Sequence, residues 1–194
     1  RVELLRHTGT APAGAVRRID VEISTSDDGG LRLRYFVDGD TRRIALPAPA
    51  PSRPVEGLWR HTCFEAFIAG EASTAYCEFN FSPSTEWAAY GFTSYREGMA
   101  MLEHALPPQV ATSITDDRIA LEAVVSRETL LALPGDSVLR LGLSAVIERA
   151  DGGHSYWALA LPGERPDFHD PAGFVLRIER TPPLMNLRVA SYLT

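Results

Sequence analysis

Several chemical signatures are missing from this sequence, and each absence closes a class of function. There is no C-x-x-C-H run, no glycine-rich phosphate loop and no nucleophile elbow. No apolar stretch approaches the roughly 20 residues of a membrane-spanning helix. Positive charge is in deficit: 19 basic against 25 acidic side chains give a net charge of −6, which argues against a nucleic-acid backbone or an anionic membrane as partner. Cysteine is nearly absent, with only Cys63 and Cys77. Reduced thiols fit a cytoplasmic protein better than a secreted one. The first residues, RVELLRHTGT, lack the apolar centre of a signal peptide, while the missing initiator Met leaves room for a cleaved leader. The expectation is therefore a cytoplasmic protein, with export still open. No internal repeat is present, and one domain over residues 1–194 is the simplest organisation.

What is abundant is β signal. Ile19, Val21 and Ile23 alternate with Arg18, Asp20 and Glu22, a half-buried antiparallel strand. Asp27-Asp28-Gly29-Gly30 turns the chain into a second strand, residues 31–37, and further strands are expected at 118–125, 138–148, within SYWALAL, and at 174–178. Ser126 is a helix N-cap before a short ETLLAL helix, and REGMAMLEHAL reads as irregular or briefly helical. The proline-rich stretch 47–57 is an extended loop. Eight to ten short strands with at most one or two short helices specify an all-β, two-sheet antiparallel β-sandwich, with a closed barrel as the fold alternative.

The densest information lies between residues 58 and 92. Phe64, Ala66 and Ile68 mark one face of a strand, and Cys77, Phe79 and Phe81 one face of the next. Bringing those faces together predicts the pairs 64 with 79 and 66 with 77, placing Glu65 opposite Glu78. Like charges in that position are destabilising unless something compensates or exploits them. Cys63 and Cys77 fall on opposite faces, so no disulfide is expected.

The polar face then gathers Trp59, His61, Glu65, Phe67, Tyr76, Glu78 and Asn80, with Trp87, Tyr90, Tyr95, Arg96 and Trp157 nearby. Flat rings beside a few fixed hydrogen-bonding groups suit sugars, whose rings have apolar C–H faces and hydroxyl rims. The candidate ligand-binding set is Trp59, His61, Glu65, Tyr76, Glu78, Asn80, Trp87, Arg96, Trp157 and His169. The ordinary alternative for any one of these rings is a place in the core. Directly opposed carboxyls, about 4.5–5.5 Å apart at Cβ, also approach the spacing used by retaining glycosidases, which supplies an enzyme alternative through Glu65 and Glu78. No catalytic residue is assigned. Asp167 and His169 offer only two metal ligands, too few to define a site. Haem remains open through His61, His104, His169, Met99 or Met101, none singled out by spacing.

The segments LWRHTCFEAFI, YCEFNFSPSTEWAAYGFTSYREGM and SYWALALPGERPDFHDPAGF resemble a bacterial group of DOMON-like proteins, sometimes labelled murB-like. That resemblance implies a DOMON-type β-sandwich, related to family-nine carbohydrate-binding modules and to cytochrome-type DOMON domains. It implies two ligand classes, sugar and haem, and no reaction. The expected function is small-molecule binding, a carbohydrate or sugar derivative first, haem second; an interaction module whose aromatics contact another protein is a further alternative, although no protein partner is specified.

Overall fold

The computed structural model describes residues 1–9, 14–102, 105–133 and 138–179, and every structural statement below concerns these. Eleven of the twelve strands follow one hydrogen-bonded path that curls into two packed layers, and the twelfth joins it at the side. The first layer contains β1 (Val2–Arg6), β2 (Val16–Thr25) and β3 (Leu31–Gly39), continued outward by β9 (Arg118–Val125) and β8 (Gln109–Ile114). The second contains β4 (Cys63–Gly70), β5 (Tyr76–Phe81), β6 (Trp87–Phe92) and the two-residue β7 (Ala100–Met101), with the long β10 (Val138–Glu148) on the other side of β4. The far edge of β10 is shared: β11 (His154–Ala158) pairs with its second half and β12 (Leu176–Glu179) with its first. All these pairings are antiparallel. The expected all-β sandwich is the observed fold.

β1 joins the layers. Val2, Glu3 and Leu4 pair with β2, whereas Leu5 and Arg6 pair with β11. A strand that changes sheets partway makes a corner, so the sandwich is closed along this side. This strand escapes a sequence reading because Leu4 and Leu5 break the alternation: Leu4 is buried and Leu5 exposed. β8 escapes it too, since an edge strand with mostly exposed residues carries little hydrophobic pattern.

Between the layers lies a continuous apolar core, fed by alternate residues such as Val21, Leu33, Val37, Leu121, Ile68, Phe79 and Leu141. Tyr35 spans it from β3, packing on Phe64 with ring centroids 5.0 Å apart and donating its hydroxyl to the Glu65 carbonyl at 2.8 Å. The only α-helix among the described residues, α1 (Arg127–Ala132), begins where expected. The Ser126 hydroxyl accepts the Thr129 N–H, satisfying a donor the helix itself cannot. REGMAMLEHAL contributes β7 rather than a helix in its first half, and His104 lies outside the described residues.

The β4–β5 register requires a correction. Phe64 pairs with Phe81, Ala66 with Phe79 and Ile68 with Cys77, two residues away from the expected alignment. Glu65 therefore faces Asn80, and Glu78 faces Phe67. A slip of two preserves which face every side chain occupies, so facial pattern alone cannot distinguish the two registers. The connection decides: Ser73 N–H reaches the Gly70 carbonyl at 3.2 Å and its hydroxyl accepts Ala75 N–H at 3.0 Å, leaving Ala69 opposite Tyr76. This register also separates the two like charges to a diagonal.

Candidate functional site

Because β4, β5, β6 and β10 are neighbours, their outward residues form one surface on the side away from the core. β4 supplies Cys63, Glu65 and Phe67; β5 supplies Tyr76, Glu78 and Asn80; β6 supplies Tyr90 and Phe92; β10 supplies Ser144 and Val146. This surface is roofed from two directions. Residues 55–59 bring Val55, Leu58 and Trp59 against it, and the excursion between β11 and β12, residues 159–175, crosses it with Phe168, His169 and Phe174. Together they build a second, smaller apolar cluster on the sheet's outer side. Under the roof remains a cavity of about 350 Å³.

Several local features hold the crossing segment in place. Asp170 caps the short 3-10 turn Pro171–Gly173 by accepting Ala172 N–H at 2.9 Å. Phe174 lies nearly flat on Phe67, with centroids 5.7 Å apart and planes 20° apart. It can do so because β10 has glycine beneath it: a Cβ on Gly142 would come within 2.7 Å of the Phe174 ring. Asp167 accepts His169 N–H at 3.0 Å and the Arg96 guanidinium at 2.7 Å, and Tyr95 donates its hydroxyl to the same carboxylate. Arg96 itself occupies a left-handed backbone position, φ 57°, in a turn closed by Glu97 N–H and the Ser94 carbonyl at 3.1 Å. That turn aims Arg96 N–H at the Tyr76 hydroxyl, 3.1 Å away.

The polar floor is the unusual part. Glu65 is 2% exposed, and its Oε2 accepts the Ser144 hydroxyl at 3.0 Å. Burial, and then the neighbouring Glu78 charge, push its carboxyl well above the usual range, against the Ser144 hydrogen bond. Glu78 is 5% exposed and its Oε1 accepts the Asn80 amide at 2.8 Å. Burial raises its carboxyl as well, opposed by that amide and by the Arg96 charge. The Cys63 thiol, which donates to Asn80 Oδ1 at 3.5 Å, is driven up by burial and then by both carboxyls, so it is a neutral donor and not a nucleophile.

His169 hangs from the roof. Its ring meets Phe67 and Phe92 edge-on at 5.2 and 5.1 Å, its Nδ1 lies 2.8 Å from the Tyr76 hydroxyl, and its Nε2 is 3.8 Å from Glu78 Oε2. Burial first, then Arg96, push its pKa down to about 4, with Asp167 opposing, so the imidazole is neutral at neutral pH. Since Tyr76 oxygen already accepts the Arg96 N–H, its proton goes to Nδ1 and the imidazole proton is on Nε2, toward Glu78. Asp167 would be raised by burial, but Tyr95 and Arg96 outweigh this and hold it below the ordinary carboxylate range.

Of the residues expected here, Trp59, Glu65, Glu78, Arg96 and His169 line the cavity, and Tyr76 and Asn80 support it from behind through His169 and Glu78. Three are elsewhere. Trp87 pairs with Phe81 and turns inward to the main core. Trp157 pairs with Ala145 on the inner face, and its indole N–H donates to Ser155. His61 is exposed and pairs with Glu148 at 2.8 Å, because the 3-10 turn Leu58–Arg60 interrupts the strand alternation before β4 begins. The same turn leaves Trp59 edge-on to Tyr90, 5.8 Å between centroids, as a cavity wall. Ser144, Tyr156 and Phe168 also belong to the site and were not singled out by sequence. Ser144 had a signal, as the lone hydroxyl in the outward set of β10, between Gly142 and Val146.

Met99 and His169 both line the cavity, yet they do not make a haem site. The His169 Nε2 that would bind iron faces Glu78 across 3.8 Å, which leaves no room for a macrocycle between them. Among the described residues no group of three or more His, Cys, Asp or Glu could hold a metal ion.

No protein-family model and no curated protein matches the chain. Among solved structures, a crystal structure described as "a putative carbohydrate-binding protein" from Bacteroides uniformis is similar. It is 16% identical, aligns over 81% of this chain and 76% of its own length, and has a TM-score of 0.57. At that identity the likeness concerns the fold.

Proposed function

We propose that this protein binds a small carbohydrate or sugar derivative in the roofed cavity on the outer face of β4, β5 and β10. The observation that carries this reading is the pairing of aromatic walls with a polar floor. Trp59, Phe67, Phe92, Tyr156 and Phe168 supply flat apolar surface, while Glu65, Glu78 and His169 supply hydrogen bonds in fixed directions. A ring with apolar faces and a polar rim satisfies both at once. The volume of about 350 Å³ is at the small end of ligand sites, which favours one or two sugar units over a polymer. The description of the Bacteroides uniformis neighbour supports the same ligand class. The resemblance to DOMON-like proteins belongs to this proposal, as the family in which such a site would be expected.

Binding is favoured over bond cleavage because both carboxyls come from adjacent strands of one wall. Glycosidase carboxyls flank the bond they break.

The experiment is a thermal-unfolding series followed by tryptophan fluorescence, against mono- and disaccharides and their charged derivatives. Ligand at a hundred times its dissociation constant adds about 2.7 kcal/mol. Each kcal/mol moves the midpoint of a domain this size by about 2–4 °C. A shift confined to one sugar class, lost in Glu78→Gln, supports the proposal. A flat series sinks it.

A further inference from the structure

The two floor carboxyls are each half satisfied. Glu65 Oε2 has Ser144 and Glu78 Oε1 has Asn80, whereas no hydrogen bond from the described residues reaches Glu65 Oε1 or Glu78 Oε2. Both residues are more than nine-tenths buried and both line the cavity. The open oxygens are therefore hydrogen-bonding positions left for whatever fills the space, and a buried polar atom left unpaired is costly.

No cation of the protein among the described residues is hydrogen-bonded to them. The chain contains no lysine, so every basic side chain other than histidine is arginine, and the one that lines this cavity is Arg96. Its guanidinium is committed at the rim to Asp167, at 2.7 Å. The other groups facing the carboxyl pair are the neutral imidazole of His169 on the crossing segment, the Cys63 thiol on β4, the Ser144 hydroxyl on β10 and the Tyr90 hydroxyl on β6. With Arg96 and Asp167 cancelling each other, two ionised floor carboxyls would leave the cavity with uncompensated negative charge.

The walls around this floor have the complementary character. Trp59, Phe67, Phe92 and Phe168 present aromatic rings, and Met99 a polarisable thioether. Aromatic enclosures attract cations through the negative faces of their rings, most strongly where water is removed. Two carboxyl oxygens without a partner, a lining guanidinium already bonded to Asp167 and aromatic walls describe a socket for an ammonium group.

We infer that the ligand of this cavity carries a protonated amine, held between the open oxygens of Glu65 and Glu78, so that the ligand class is an amino sugar. This rests on the carbohydrate reading for the sugar and on the floor geometry for the amine. The amine would bind as the carboxyl pair gives up a proton, which passes to the buffer; the cavity then holds a matched pair of opposite charges.

The test is calorimetric titration of the protein with glucosamine, glucose, N-acetylglucosamine and cyclohexylamine at about pH 6, below the range of an ordinary amino group. Glucosamine should bind at least about tenfold more tightly than its acetylated counterpart or glucose. Its heat should depend on the buffer's ionisation enthalpy, reporting the released proton, while that of glucose should not. Glu78→Gln and Glu65→Gln, each checked for an intact melting transition, should abolish the preference. Equal or tighter binding of the neutral sugars overturns the amine and leaves the carbohydrate reading standing. Binding of cyclohexylamine with no sugar bound upholds the ammonium socket and overturns the carbohydrate reading. Failure of all four probes to bind overturns both.

Discussion

The Asn80 amide donates to Glu78 Oε1 at 2.8 Å while its own oxygen accepts the Cys63 thiol at 3.5 Å. One fully buried amide thus fixes the rotamer of a carboxyl two residues away on the same strand face. Replacing Asn80 with Ala removes the donor and leaves a buried acceptor unmade, at about 1–3 kcal/mol. Urea denaturation should show that loss, and ligand affinity should fall alongside, since Glu78 would no longer be held toward the cavity. An Asn80→Ala protein as stable as the parent would show that the amide holds nothing.

The carboxyl pair sets a pH dependence with a defined sign. Both carboxyls are raised in the folded protein, Glu65 strongly, by burial first. Their contribution to stability is complete below the unfolded glutamate value, about 4.3, and is lost as pH rises through the raised folded values. Glu65→Gln cannot ionise and escapes that loss. Its stability relative to the parent should therefore grow from pH 4 to pH 8 in denaturant titrations. A difference that stays constant over this range would contradict protonated carboxyls in the fold.

His169 behaves in the opposite sense. Its folded pKa of about 4 is below the ordinary histidine value, so its contribution is present above about 6.5 and lost as pH falls through about 4. Imidazole resonances recorded by NMR should show His169 as the neutral Nε2–H tautomer down to about pH 5. A midpoint near 6.5 would mean that the roof segment leaves the ring in water.

Gly142 tests the roof without touching a cavity-lining side chain. A methyl group there meets the Phe174 ring, which must move off Phe67. Gly142→Ala should cost roughly 1–3 kcal/mol, the usual range for overpacking, and should weaken ligand binding by displacing the segment that carries Phe168 and His169. Retained affinity with reduced stability would separate the roof from the site.

Cys63 and Cys77 are buried in different apolar clusters on opposite sides of the second layer. Burial raises both thiols, Cys77 to about 12. Neither should react with a thiol reagent in the native protein at neutral pH, and both should react on unfolding. Rapid labelling of Cys63 alone would show that the cavity opens readily to solvent.

The strands and the polar face were legible because period-two alternation needs nothing beyond local sequence. Glu65, Glu78 and Asn80 were placed on one face for that reason. Their partners were not, since a two-residue register slip leaves the facial pattern unchanged and only the loop at 70–75 distinguishes the alternatives. Trp87 shares a face with Phe81, and its inward direction follows once the β5–β6 pairing is known. The roof was illegible for a different reason. Residues 159–175 are punctuated by proline and glycine and have no periodicity, so their course is set by distant partners such as Arg96, Phe67 and Gly142. The cavity exists only where that segment meets the sheet.

The two-sheet membership of β1 has a temporal consequence. Leu4 finds its partner Ile19 soon after leaving the ribosome, but Leu5 must wait for Ala158. Contacts of such sequence separation form late, because the closing chain loses much freedom before the pairing rewards it. The crossing segment that roofs the cavity is synthesised later still. Until residues 158–175 are in place, the chain would thus hold an open, half-seamed sandwich with its acidic floor in water, free to ionise, and that stretch then shuts both the seam and the site.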